Sequence, residues 1–201
     1  MRQENVNIEG REIINFVNLG NNDLRTILTW RNNEAVRRWM FNSSEISLDT
    51  HLSFVEDLRV SNSKSYWMVK FDDLDLGVVY FVDINQEEKM AEFGLYLNPD
   101  LLASGLGFEL FYLALNLGFN YLGLHSIISQ SKIGNRNTLV LHEFFGMRES
   151  HIVQKFISGV AQDVSYRTLV LEDFTKFPQS LNSLKRMVSA YLVANVTSKM
   201  K

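Results

Sequence analysis

The spacing of apolar residues along this chain changes near residue 65. Before that point it is mostly helical. Ile13 to Val17 is a short apolar run that predicts a first strand. Asn21-Asn22-Asp23 offers an N-cap for a helix with Leu24, Ile27, Leu28 and Arg31 at helical spacing. Val36 to Met40 reads as a second, short helical piece. Ser47 caps a third helix, in which Leu48, Leu52, Val55 and Leu58 mark one face. From residue 65 the pattern turns to strands. Tyr66 to Phe71, Leu76 to Ile84 and Ala91 to Leu97 form a meander with polar tips at Asp72-Asp73-Leu74-Asp75 and Asn85 to Lys89.

Asn98-Pro99-Asp100 then opens a loop into an apolar helix from Gly105 to Tyr121. Ser126 to Gln130 predicts a strand, Asn135 to Phe145 a helix closed by Gly146, and Val164 to Leu171 a late strand. Ile152 to Ile157 carries a weaker strand pattern. After Pro178, Leu181, Leu184, Val188, Tyr191 and Leu192 mark an amphipathic helix. Strands and helices mix without strict alternation. This predicts an α/β (α+β) sandwich, with a mixed, mostly antiparallel sheet flanked by helices. Residues 1–175 are expected to form the domain and 176–201 a helical tail. That tail could pack on the domain, pair with a second copy as a homodimer, or fray.

Composition narrows the function. The chain has 201 residues, 46% of them hydrophobic, enough to bury one core. It has no cysteine, which removes disulfides and thiolate chemistry. Lys plus Arg is 20 against 23 Asp plus Glu, so binding nucleic acid by phosphate neutralisation is not expected. A local cationic pocket remains open. The start, MRQENVNIEGREIINF, lacks a signal-peptide pattern, and the stretch Leu106 to Leu122 is broken by Glu109, Asn116, Gly118 and Asn120. A soluble, cytoplasmic protein without a membrane partner is expected. His125 and His151 have no metal-ligand spacing, so no metal is expected.

The segment Leu102-Ala103-Ser104-Gly105-Leu106-Gly107 lies between a strand and a helix. Glycines one residue apart let the backbone approach a ligand, and the helix start offers N–H groups and a positive dipole end. Such a loop is a phosphate cradle or only a turn. It is not a dinucleotide fingerprint, because Leu110 stands where the third glycine belongs, and neither a P-loop nor a nucleophile elbow occurs.

The run Ala91-Glu92-Phe93-Gly94-Leu95-Tyr96-Leu97-Asn98-Pro99-Asp100, continuing into Gly105-Leu106-Gly107, resembles the acetyl-coenzyme A motif of the GNAT N-acetyltransferases. Asn137-Thr138 with Gly146-Met147 resembles their second coenzyme segment, and the likeness spans roughly residues 10–172. Trp30-Arg31-Asn32, Trp39-Met40, Ile46-Ser47, His51-Leu52-Ser53-Phe54 and Gly94-Leu95-Tyr96 resemble a narrower branch. Its members N-acetylate the 4-amino group of a UDP-linked 4-amino-4,6-dideoxy sugar in pseudaminic acid biosynthesis, which decorates flagellin and surface glycans.

The resemblance implies acetyl-CoA as cosubstrate and a nucleotide-sugar acceptor. It places Leu95, Tyr96 and Leu97 beside the pantetheine arm, with Leu102, Ala103, Ser104, Gly105, Leu106, Gly107 and Phe108 around the pyrophosphate and Asn137 on the arm. Glu92 is the candidate base, or else a carboxylate on a solvated sheet face. His142 stands where the family carries a tyrosine acid, and is either an imidazolium acid or an exposed helix residue beside Glu143. Arg31 and His51 would hold the uridine diphosphate, Trp39, Met40 and Tyr96 would line the sugar pocket, and Asp83 would face the amine. The bland counterparts are a surface charge for Arg31, helix-face packing for His51, core positions for Trp39 and Met40, a turn for Asp83 and a helix cap for Asn137. Leu102 replaces the family's usual Gln or Arg. A protein α-amine acetyltransferase and a non-catalytic coenzyme-binding module are the competing functions.

Overall fold

The computed structural model describes residues 3–199, with side chains as far as Leu192. Eight strands form one sheet: β1 (Val6–Ile8), β2 (Arg11–Asn15), β3 (Ser65–Phe71), β4 (Leu74–Asn85), β5 (Met90–Leu97), β6 (Ser126–Lys132), β7 (Arg148–Ile157) and β8 (Val160–Val170). Their order across the sheet is β1-β2-β3-β4-β5-β6-β8-β7. β5 and β6 run parallel, and the other described pairs are antiparallel. Helices α1 (Asn21–Asn32), α2 (Glu34–Arg37) and α3 (Leu48–Val60) precede β3. Helix α4 (Leu106–Asn116) connects β5 to β6, and α5 (Arg136–Phe144) connects β6 to β7. Helices α6 (Leu171–Phe174) and α7 (Leu181–Lys199) follow β8.

Alternation along the strands sends side chains to two separate cores. Trp67, Val79, Phe81, Ala91, Phe93 and Ile127 pack with the buried residues of α4 and α5. Met68 and Val78 pack on the opposite face with Phe16, Leu24, Ile27, Trp30, Val55 and Leu58 from the first helices. Caps set the helix starts: the Ser47 side chain accepts from the Thr50 N–H, and Asn33 caps α2 through the Ala35 N–H.

Several boundaries differ from expectation. β2 stops at Asn15, whose side chain accepts from the Val17 N–H and turns Phe16–Asn18 into a 3₁₀ segment. β1 is a three-residue edge strand, too short to show a period. α4 ends at Asn116 and continues as a π turn over Leu117–Tyr121. Within that turn Gly118 lies against Phe81 and Ile127, and a Cβ there would come within 2.8 and 2.7 Å of them. β7 is longer than its apolar pattern, because it is an exposed edge strand held by a hairpin to β8.

Glu109, the polar interruption in the apolar helix, is 6% exposed and pairs with Arg11 at 2.6 Å. The Glu9 carboxylate accepts the Leu181 N–H, and Leu181 and Leu184 are buried in the main core. Leu181, Leu184, Val188 and Tyr191 of α7 therefore pack on the chain's own domain, while Leu192 is exposed. Residues 200–201 of the expected tail lie outside the described residues.

Candidate active site

β5 and β6 pair only at Met90, Ala91 and Glu92, opposite Ser126, Ile127 and Ile128. Beyond Glu92 the two strands part. β6 goes on pairing with β8, while β5 keeps β4 as its only ladder partner as far as Leu97. The backbone of Leu95, Tyr96 and Leu97 thus has one ladder edge free towards the gap.

α4 starts beyond the open end of β5. The Asn98 side chain accepts from the Asp100 N–H and donates to the Asp75 carbonyl, fixing the exit from the strand. Ala103 and Gly105 both take left-handed backbone, at φ 65° and 83°. A Cβ on Gly105 would meet nothing within 4 Å, so conformation rather than crowding selects glycine there. The Ser104 hydroxyl accepts from the Leu106 N–H, and Leu102 is exposed. An open left-handed loop, the N-terminus of an eleven-residue helix and a free strand edge fit the pyrophosphate and arm of acetyl-CoA. Phe108 instead turns its ring into the core against Phe144, 4.8 Å between centroids. Asn137 is exposed near the start of α5, and it is Asn135 that caps the helix through the Thr138 N–H.

Glu92 points to the face of α1 and α3, opposite the Ala91 and Phe93 core. Its carboxylate accepts from Gln130 Nε2, and Gln130 Oε1 accepts from Lys155 Nζ at 2.6 Å. Burial raises the Glu92 pKa above the ordinary carboxylate value and nearby Asp83 adds to this, while the Gln130 bond and Lys155 oppose it. Asp83 is exposed, with φ 51°, where the β4–β5 ladder slips between Val82 and Asn85.

Arg31 lies on the same face. One Nη donates to the Asn42 carbonyl, the other is buried without a partner, and the tyrosines Tyr66, Tyr80 and Tyr96 surround the guanidinium. Tyr66 stacks on Tyr80 at 4.9 Å. Tyr80 in turn lies across Gly94, where a Cβ would come within 2.2 Å of its hydroxyl oxygen. Burial pushes the Tyr80 hydroxyl up to about 12 and Tyr96 higher still, so both remain neutral donors. Asn32 clamps the Ile46 backbone in both directions, at 2.8 and 2.9 Å, which accounts for the spacing between Trp30-Arg31-Asn32 and Ile46-Ser47. Trp39 packs near Gly134, and Met40 is half-buried beside it.

Two histidines take different positions from those expected. His142 is fully buried, its Nε2 shares a hydrogen bond with Ser129 Oγ at 3.0 Å, and its ring lies against Phe111. Burial pushes its pKa down to about 3 and Arg167 adds to this, so it sits as a neutral core imidazole, neither the imidazolium nor the exposed residue expected. His51 is 5% exposed in the second core, edge-on to Phe16, and burial lowers its pKa as well. It presents no cation to a diphosphate. Tyr66, Tyr80, Gln130 and Lys155 belong to the site without any motif to mark them. Their one signal is a polar atom at a sheet position next to a core residue. Among the described residues, no group of three His, Asp or Glu could hold a metal.

The family model for the GNAT acetyltransferase domain matches residues 14–148. This chain belongs to that family. Acetyltransferase PseH of Campylobacter jejuni is 31% identical over 129 residues, covering 64% of this chain and 79% of that protein. Spermidine N(1)-acetyltransferase of Vibrio cholerae is 29% identical over 145 residues, covering 71% and 84%. Among solved structures, the Vibrio cholerae spermidine enzyme with CoA and spermine superposes at TM-score 0.76 and 23% identity, over 84% of this chain and 99% of that one. Campylobacter jejuni PseH with acetyl coenzyme A gives 0.63 and 24%, over 80% and 99%. At these identities the superpositions establish the fold. The chain is an acetyl-CoA-dependent N-acetyltransferase, and its two kinds of relative leave the acceptor to be argued from its own residues.

Proposed function

We propose that this chain moves the acetyl group of acetyl-CoA to the 4-amino group of a UDP-linked 4-amino-4,6-dideoxy sugar for pseudaminic acid biosynthesis. Arg31 carries the reading. Its part-buried guanidinium, with no carboxylate bonded to it, faces the same side of the sheet as Glu92. A polyamine is a string of cations and would be repelled there, whereas a nucleotide diphosphate supplies the missing counter-charge. The tyrosine rings beside Arg31 suit a deoxy sugar, which has a methyl group in place of one hydroxyl. The resemblance to PseH over Trp30-Arg31-Asn32 and Gly94-Leu95-Tyr96 points the same way.

When bound, acetyl-CoA supplies an activated acyl thioester. The free edge of β5 holds the arm, and the loop 102–108 holds the pyrophosphate. Glu92, raised by burial, takes a proton from the acceptor amine directly or through water. Gln130 restrains one carboxylate oxygen and leaves the other for that proton. Since His142 is neutral and buried, solvent supplies the proton to the departing thiolate. No helix among the described residues is long and apolar enough to cross a membrane. We place the protein in the cytoplasm, where acetyl-CoA and nucleotide sugars are made.

The test is mass spectrometry of the protein with acetyl-CoA and, separately, UDP-4-amino-4,6-dideoxy-N-acetyl-altrosamine, spermidine and a peptide with a free α-amine. The expected product is the sugar nucleotide heavier by one acetyl group. Acetylation of spermidine or the peptide, with the sugar untouched, overturns the assignment.

A further inference from the structure

Two residues beyond Gln130, β6 turns another cation to the acceptor face. Lys132 is 6% exposed, and its Nζ makes one hydrogen bond among the described residues, to the Arg38 carbonyl at 2.8 Å. Burial lowers its pKa and no neighbouring carboxylate offsets this. Lys132 borders a cleft of about 320 Å³ between α2 with its following loop and the β7–β8 turn. Arg37 and Arg38 stand on the opposite wall, and Ser43 Oγ meets Ser158 Oγ across the cleft at 2.7 Å.

Arg37 Nη2 pairs with the exposed Glu34 at 2.7 Å and approaches Glu45 at 3.9 Å. Its Nη1 donates to the Ser43 carbonyl, and its Nε is buried without a partner. The cleft is therefore lined by two cations, Lys132 and Arg37, with Glu34 at its edge, and Lys132 Nζ has donors to spare beyond its bond to Arg38. Lys132 lies about 6.6 Å further along β6 than Gln130, which holds Glu92. That is about the width of one pyranose ring, the separation between a reacting sugar amine and the phosphate on the anomeric carbon.

We propose that this cleft is the subsite for the acceptor's nucleoside diphosphate, held by Lys132 and Arg37. The proposal rests on the nucleotide-sugar reading and deepens it. Arg31, on the side of the tyrosines, then adds a third cation to the same diphosphate.

The probe is UDP, titrated calorimetrically into the full-length chain and into its Lys132→Met and Arg37→Met variants, with acetyl-CoA titrated in parallel. Lys132→Met keeps the apolar stem, and Arg37 lies at the rim, so at least one variant keeps the fold. Affinity for UDP is expected to fall by about tenfold or more in each folded variant, with acetyl-CoA affinity unchanged. Equal UDP binding by wild type and variants, or none by wild type, overturns the proposal. So does a parallel loss of acetyl-CoA affinity, which assigns the cleft to the coenzyme phosphates. If wild type acetylates the sugar nucleotide but Lys132→Met leaves its KM unchanged, the subsite is refuted and the acceptor stands. If UDP binding depends on Lys132 while only spermidine or peptide is acetylated, the nucleoside-diphosphate site is supported and the acceptor assignment falls.

Discussion

Under α4 and α5 the sheet presents Trp67, Val79, Phe81, Ala91, Phe93 and Ile127, none more than 3% exposed. The same strands turn Tyr66, Tyr80, Glu92, Tyr96, Gln130 and Lys132 to the other face, each an odd number of positions from those core residues. One face is closed by apolar contact, which needs shape and no direction. The other is only partly closed, so its buried polar groups need specific partners. Among the described residues one Arg31 Nη and the Arg37 Nε are buried without a partner there, and Lys132 Nζ makes one hydrogen bond. The contrast separates two kinds of damage: loss on the first face costs stability, and loss on the second costs chemistry or acceptor binding.

The sharpest break is expected at Glu92. Glu92→Gln should lower kcat by about 10² to 10⁴-fold with acetyl-CoA affinity unchanged, as steady-state rates and a coenzyme titration will show. The wild-type rate should also fall as pH drops through a midpoint above the ordinary carboxylate range, because burial raises Glu92 and the protonated acid cannot accept the amine proton. An unaltered kcat in the glutamine variant takes Glu92 out of the mechanism.

Phe111→Ala reports on the opposite face. This ring is 1% exposed and touches Phe93, Phe145 and His142. Urea unfolding should show a loss of about 3–5 kcal/mol, with kcat/KM of the remaining folded protein close to wild type. Arg31→Met is the intermediate case. It should raise KM for the nucleotide sugar by about tenfold or more and leave acetyl-CoA binding alone. An unchanged KM would return Arg31 to a structural role in holding Asn42.

At neutral pH the smallest effect on turnover is at His142, whose contribution shows as a pH dependence of stability. Its folded-state pKa lies below the unfolded value, so its contribution is complete above pH 6.5 and is lost as the unfolded chain takes up a proton below that. Wild type should lose stability more steeply than His142→Gln between pH 6.5 and about 3, by at most about 1.4 kcal/mol per pH unit. Turnover from pH 6 to 9 should show no titration that the variant removes. A turnover midpoint in that range that disappears in His142→Gln would restore the imidazole to proton transfer.

Much of the molecule was legible along the chain because it depends on local chemistry. Apolar spacing, the cap at Ser47 and the glycine at the start of α4 act within one or two turns, and the main helices and the meander appear close to where they were expected. The loop into α4 was legible for the same reason, since its backbone conformation is carried by Ala103, Ser104 and Gly105 themselves. The shared order of short motifs carried the family.

Burial of single polar groups was not legible. His142 and His51 have the chemistry of a proton donor and a phosphate ligand, but both end up inside cores, where desolvation keeps the imidazole neutral. Nothing in residues 126–132 announces that Gln130 will bridge Glu92 to Lys155, or that Lys132 will face Arg37 across a cleft. Those meetings join residues 38, 25 and 94 positions apart, as in Glu92 with Gln130, Gln130 with Lys155, and Lys132 with the Arg38 carbonyl. By itself the sequence determined most of the elements, the cap at Ser47 and the family, because each rests on neighbours in the chain; the caps of α1 and α5 fell instead on Gly20 and Asn135. Only the tertiary structure decided which polar groups lose water and which charges meet, because both depend on strands and helices that the chain order keeps far apart.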